Sequence, residues 1–255
     1  MKDEVRRLLA EYAARYETAG FLDGDPSWFM HQVEGDANRE ATAFVAACLS
    51  FGSRAQFMPK VQWMLDCADG DMDGWVRSGA FARDVPADPG RCFYRFFTFG
   101  TMNGFLGSYR RLMEERGTLG GFVRDAAAGR GGLGAVEAIC RWFAEHGPCA
   151  PVPRDAHSAC KRVCMFLRWM VRGGSPVDLG LWEGFIDRRS LVMPLDTHVL
   201  RQANRLGLMK GTCASMCAAR RLTDAMREAF PNDPLKGDFA LFGYGVNHRP
   251  LPTAD

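Results

Sequence analysis

The amino-acid sequence predicts an all-helical protein. Three observations lead there. Apolar residues recur at spacings of three and four through most of the chain. No stretch alternates polar and apolar residues as a strand would. Short Pro-, Gly- and Asp-rich breaks part the periodic stretches. The first element, "DEVRRLLAEYAARYE", is amphipathic. "NREATAFVAACLSFG" has helical spacing and a glycine where a C-cap falls. "QFMPKVQWMLDCA" and "GTMNGFLGSYRRLMEERG" follow the same pattern, with the loop "SGAFARDVPADPGR" (78–91) between them. "GGLGAVEAICRWFAEHG" runs into "HGPCAPVPRDAH" (146–157), whose prolines exclude helix. "SACKRVCMFLRWMVRGG" comes next, then the break "RGGSPVDLG" (172–180). "DTHVLRQANRLGL", "SMCAARRLTDAMREAF" and "DPLKGDFALFGYGV" complete about ten helices.

With 255 residues the chain is long enough for one large domain or two smaller ones sharing a core. Its 47% hydrophobic and 24% charged residues are those of a soluble globular protein. The net charge of +2 neither announces nor excludes a nucleic-acid partner, because only a local basic patch matters. No stretch is apolar for long enough to span a bilayer, and "MKDEVRRLLAEYAARY" is charged and helical rather than a signal peptide. A cytoplasmic protein with no membrane association is expected.

The nine cysteines are odd in number and scattered, which argues against a disulfide framework. Cys160 and Cys164, like Cys213 and Cys217, are four apart on expected helices, so each pair shares a face. No CxxC occurs. The thiols are therefore read as small buried apolar groups in a reducing compartment, with no metal and no cofactor expected.

The most informative helix begins near Ser158. At 100° per residue, Cys160, Val163, Cys164, Phe166, Leu167, Met170 and Val171 make one broad apolar face. Lys161, Arg168 and Arg172 fall on the opposite stripe. A solvated basic face is the ordinary reading of such a stripe. Ser158 as N-cap would place Lys161 at the third helical position, where the positive dipole end and the two arginines disfavour its charge. Both effects favour the neutral amine that a nucleophile needs. Asp196 follows Pro194 and precedes a helix, so it is read as a helix cap or as one member of a catalytic pair.

"PLDTHVLRQANRLGL" resembles the segment of helix-hairpin-helix DNA glycosylases that carries their catalytic aspartate. Lys161 in "CKRVCMFLRWMVR" is similar in position to the lysine of the bifunctional members, especially the archaeal 8-oxoguanine glycosylase group. "ATAFVAACLSFGSR" resembles their early helix with its Leu-Ser turn, and "GDFALFGYGV" the late helix that closes the fold. The chain as a whole looks like a family of uncharacterised bacterial proteins related to those enzymes. There are departures. "PVPRDAHSACK" stands in place of the L-P-G-V-G-x-K hairpin, Gly52 stands where many members have glutamine, and no four-cysteine motif follows "FGYGV".

The resemblance implies a two-lobed helical fold with a central cleft. A middle domain over 38–172 would face a second domain formed by 1–37 and 173–255. It implies base excision with an associated lyase step: Lys161 attacks the sugar and Asp196 stabilises the charge that develops as the base leaves. His198 would support the site from behind or act at the helix end. Arg162, Arg168, Arg172, Arg201 and Arg205 would hold the DNA backbone. The expected partner is double-stranded DNA carrying a damaged base, bound by a monomer. "CFYRFFTFG" (92–100) is either a stacking ring or a buried aromatic cluster, the latter being favoured. A non-catalytic nucleic-acid-binding protein that keeps the fold remains the competing reading, and a helical protein that binds protein partners is the third.

Overall fold

The computed structural model describes residues 1–147 and 150–248. Pro148 and Cys149, in the proline-rich break, lie outside the described residues, as does 249–255. The fold is all-helical apart from one small hairpin. The helices are α1 (Asp3–Tyr16), α2 (Asp36–Leu49), α3 (Arg54–Cys67), α4 (Met72–Ser78), α5 (Phe81–Asp84) and α6 (Phe99–Arg116), then α7 (Leu119–Ala126), α8 (Gly131–His146), α9 (Lys161–Val171), α10 (Thr197–Arg205), α11 (Met216–Ala229) and α12 (Lys236–Asn247). Every stretch with helical periodicity forms a helix. The loop expected over 78–91 contains the short α5, and α4 and α7 were too brief to show a period.

Two helices organise the core. In α2 every residue from Glu40 to Leu49 is buried, and in α9 every residue from Val163 to Val171. They pack against each other, and α8 packs on α9. Helices apolar almost all round belong at a centre rather than a surface. At the chain ends, α1 lies along α12 and touches α11, so the N-terminal helix is held by the C-terminal ones.

The aromatic run departs from the all-helical expectation. Cys92–Tyr94 (β1) and Phe97–Thr98 (β2) pair antiparallel, with Arg95 and Phe96 at the tip. Phe93, Tyr94, Phe97 and Phe99 are buried, as favoured, but Phe96 is 68% exposed. Strands of three and two residues are too short to show alternation, which is why the run carried no strand signal.

The start of α9 also differs from expectation. Ser158 does not cap it. Ser158 forms an isolated bridge with Ser215, and His157 O accepts from Met216 N at 3.2 Å, so an extended crossing holds this segment. Cys160 is the residue before the helix, in a left-handed conformation with φ 44°, and Lys161 is the first helical residue rather than the third. Cys213 lies ahead of α11, so it shares no helix face with Cys217, and both are exposed; Cys48, Cys140, Cys160 and Cys164 are buried as expected.

Candidate functional site

The buried run Leu191–Leu195 carries the chain through the core to the start of α10, and Met193 N is anchored on Thr223 Oγ1 at 3.0 Å. The run ends where Asp196, in extended conformation, caps α10: its Oδ1 accepts from Val199 N at 2.8 Å. Its other oxygen, Oδ2, lies 3.1 Å from Lys161 Nζ at the first turn of α9. Asp196 is thus both cap and ion-pair partner, one oxygen for each role. Both side chains are about one-third exposed, 35% for Lys161 and 34% for Asp196.

The pair opens onto a cleft of about 780 Å³. Its walls are the start of α9, the start of α10, the α2–α3 loop and the cleft face of α12. That volume lies within the range of small-molecule pockets. Burial alone would push the Asp196 carboxyl up, but the Lys161 ammonium, the Val199 N–H and nearby His198 together hold it below the usual carboxylate value. His198 lines the cleft on the first turn of α10.

Among the cleft-lining residues that sequence reasoning missed are Phe51, Arg54, Asp238 and Phe242. Asp238 accepts a hydrogen bond from Arg168 Nη1 and lies within electrostatic reach of both Lys161 and Asp196. Burial pushes its carboxyl up, against the pull of Arg168 and Lys161. Asp238 and Phe242 are four apart on α12, a spacing that puts two side chains on one helix face and could have been read as a paired signal.

Of the five arginines expected at DNA, two are exposed and a third is part-buried. Arg201 and Arg205 are exposed. Arg162 is part-buried: it donates to Cys48 O at 2.8 Å and its guanidinium lies 5.2 Å from the Phe51 ring. Arg168 and Arg172 depart from the solvated stripe that is the ordinary reading of their positions. They are 3% and 1% exposed, so they do not form a solvated stripe. Arg172 donates to Asp233 (2.9 and 2.8 Å), Glu17 (2.6 Å) and Asp178, and Arg168 to Asp178 (3.2 Å) and Asp238. Their charges are met by four carboxylates. Trp169 and Trp182 are core residues.

Among the described residues no group of three or more His, Cys, Asp or Glu side chains is placed to hold a metal ion, and no helix is long and apolar enough to cross a membrane. The profile of a protein family of unknown function, DUF2400, matches residues 25–247. No curated protein and no solved structure matches the chain.

Proposed function

The chain belongs to the DUF2400 family, and we propose that its cleft excises a damaged base from double-stranded DNA and then cleaves the strand as a lyase. The observation that carries this is the Lys161–Asp196 contact of 3.1 Å at the mouth of a cleft of about 780 Å³. One amine and one carboxylate converge on a space large enough for a nucleobase. In the proposed reaction Lys161 first gives a proton to solvent; its neutral nitrogen then attacks C1′, the bond from C1′ to the base breaks, and the base leaves with the bonding electrons and takes up a proton from water. The ionised Asp196 stabilises positive charge on the sugar as that bond lengthens. The C1′–O4′ bond then breaks, O4′ takes up a proton and the attacking nitrogen is left as an imine; this makes the C2′ proton acidic, and its loss to solvent breaks the C3′–O bond so that the 3′-phosphate leaves with the bonding electrons. No step needs a metal.

A base must leave the duplex to reach Lys161. Phe51 and Phe242 would flank it, and the Asp238 carboxylate would accept a hydrogen bond from its edge. Arg201 and Arg205 on α10, with the N-termini of α9 and α10, would hold phosphates.

Borohydride trapping tests the reading. Duplexes carrying an abasic site or 8-oxoguanine are incubated with the protein and reductant, and a covalent protein–DNA adduct is expected. A protein that binds abasic duplex without ever giving an adduct is the non-catalytic binding module, and the enzymatic proposal is lost.

A further inference from the structure

Two thiols meet where α9 begins. Cys160, the residue before the helix, has its Sγ 4.0 Å from that of Cys140 on α8, although 20 residues part them in the chain. Cys160 lines the cleft, whereas Cys140 is fully buried. The pair therefore has one member at the cavity wall and one in the core.

The surroundings hold Cys160 in an unusual way. Its backbone is left-handed, with φ 44° and ψ 37°. A residue other than glycine adopts that conformation at a cost and keeps it only where its neighbours impose it. Here the Ser158–Ser215 bridge lies just before it and the first turn of α9 just after. Its Sγ donates to Asp155 O at 3.3 Å and lies 3.5 Å from Ser158 Oγ. Burial as a small apolar group accounts for Cys48 and Cys164, whose thiols it pushes up. Cys160 differs from them. The hydrogen bond with Cys140 pulls its thiol below the ordinary value against the effect of burial, and Ser158 and the Arg162 guanidinium pull the same way. The same contact, together with burial, pushes Cys140 up, so Cys140 keeps its proton. One sulfur is suited to attack and the other to resolve what the attack produces.

We propose that Cys160 and Cys140 are a modification site, a dithiol that peroxide oxidises to a disulfide joining α8 to the start of α9. The Cys160 thiolate attacks one peroxide oxygen, an S–O bond forms and the O–O bond breaks. Hydroxide leaves and takes up the proton that Cys160 gave up, and Cys160 is left as a sulfenic acid. The Cys140 sulfur then attacks the Cys160 sulfur, the S–O bond breaks, and the second hydroxide leaves as water with the proton of Cys140. Two thiols lose two electrons and one peroxide becomes two waters. The sulfurs have only about 2 Å to close before they reach bonding distance. The site does not depend on what the cleft acts on.

The test is read on the protein alone. The folded parent is treated with hydrogen peroxide and unfolded, its free thiols are alkylated, and it is digested with trypsin. Cleavage after Arg130, Arg141, Arg154 and Lys161 places each sulfur in a peptide with no other cysteine, 131–141 and 155–161. The two peptides are expected to be joined, lighter by two hydrogens than their sum and separable by dithiothreitol. They should be joined before oxidation appears at the exposed Cys92, Cys213 and Cys217. Cys160→Ser should lose the cross-link, and Cys140→Ala should leave a sulfenic acid on Cys160 that dimedone captures. Exposed thiols oxidised while Cys140 and Cys160 are both recovered alkylated would overturn the proposal. So would a Cys160 that joins another cysteine, or that passes to sulfinic acid in the parent without a cross-link. The parent's peptides decide the matter even if Cys140→Ala fails to fold. A protein that gives no adduct with DNA loses the base-excision reading and leaves this site standing.

Discussion

The two ends of α9 carry the same charge on the same side of the helix and do opposite things. At the first turn Lys161 is 35% exposed, meets one carboxylate and faces an open cleft. Two and three turns further on, Arg168 and Arg172 are almost fully buried and are held by Asp178, Asp233, Asp238 and Glu17. A cation sparingly paired at the edge of a cavity is available for chemistry; one wrapped in carboxylates is part of the frame. Asp238 joins the two regions, bonded to Arg168 on one side and facing the cleft on the other. The buried cluster therefore fixes the angle at which α12 presents its cleft face, and with it the wall opposite Lys161.

The largest expected effect is at the open end. Lys161→Gln should abolish borohydride trapping altogether, because the imine needs the amine. Folding should change little, since the lost pair is about one-third exposed. Residual trapping at the parent's rate would place the nucleophile elsewhere.

At the buried end the order of effects is reversed. Arg172→Ala leaves Asp178 and Asp233 inside the protein without their cation. Breaking a buried pair on one side costs about 3–5 kcal/mol, which for a chain of this length is on the order of a 10 °C fall in melting temperature. A variant that melts like the parent would mean that the cluster does not hold α9 in place.

Asp196→Asn separates charge from capping. Asn caps a helix about as well as Asp, so the Val199 contact should survive and stability should move little. The carboxylate acts on charge that exists only in the transition state, and its loss is expected to slow base release about a hundredfold or more with DNA affinity largely kept. A fully active Asp196→Asn would reduce Asp196 to a cap.

Acid should also divide the two ends. The Asp196 carboxyl is held below its ordinary value, so the stability its pairing contributes is complete above about pH 4 and is lost as the pH falls through the lowered value. The small melting difference between the parent and Asp196→Asn that the lost ion pair leaves should then close below about pH 4. Asp178 is pushed the other way by burial, so the folded protein takes up its proton before the unfolded chain does. As the pH falls from neutrality towards about 4, the parent should gain on Asp178→Asn. Parallel melting curves across that range would show that the carboxyls do not differ in this way.

The contrast also marks what the sequence could show. The periodicity of "SACKRVCMFLRWMVRGG" located a buried helix, and "PLDTHV" placed an acid at the start of another; together they brought Lys161 and Asp196 to attention, and the structure sets them in contact. The fate of Arg168 and Arg172 was not legible, because it depends on carboxylates from four other places in the chain: Glu17, Asp178, Asp233 and Asp238. A helical wheel shows which side chains share a face and says nothing of what covers it. The hairpin stayed hidden for a different reason: its strands are shorter than any alternation that could reveal them, and nothing local sets Phe96 apart from the buried rings beside it.

The smallest effect concerns the arginines that remain candidates for the backbone of DNA. Arg201 is exposed on α10 within two turns of Asp196, and its removal unfolds nothing. If it holds a phosphate, Arg201→Ala should weaken binding to damaged and undamaged duplex alike, by a few-fold at moderate salt. It should also lower the slope of log affinity against log salt by about one. Arg205 is a weaker test, because it also donates to His248 O at 3.1 Å and its loss disturbs the end of α12. Arg168→Ala is the control from the buried end. It should lower the melting temperature without changing the salt slope of the molecules that remain folded, because a guanidinium 3% exposed releases no counterion when DNA binds. A salt slope that falls for Arg168→Ala and stays fixed for Arg201→Ala would invert the assignment of the two ends of α9: the buried cluster would have to open on DNA, and α10 would face away from it.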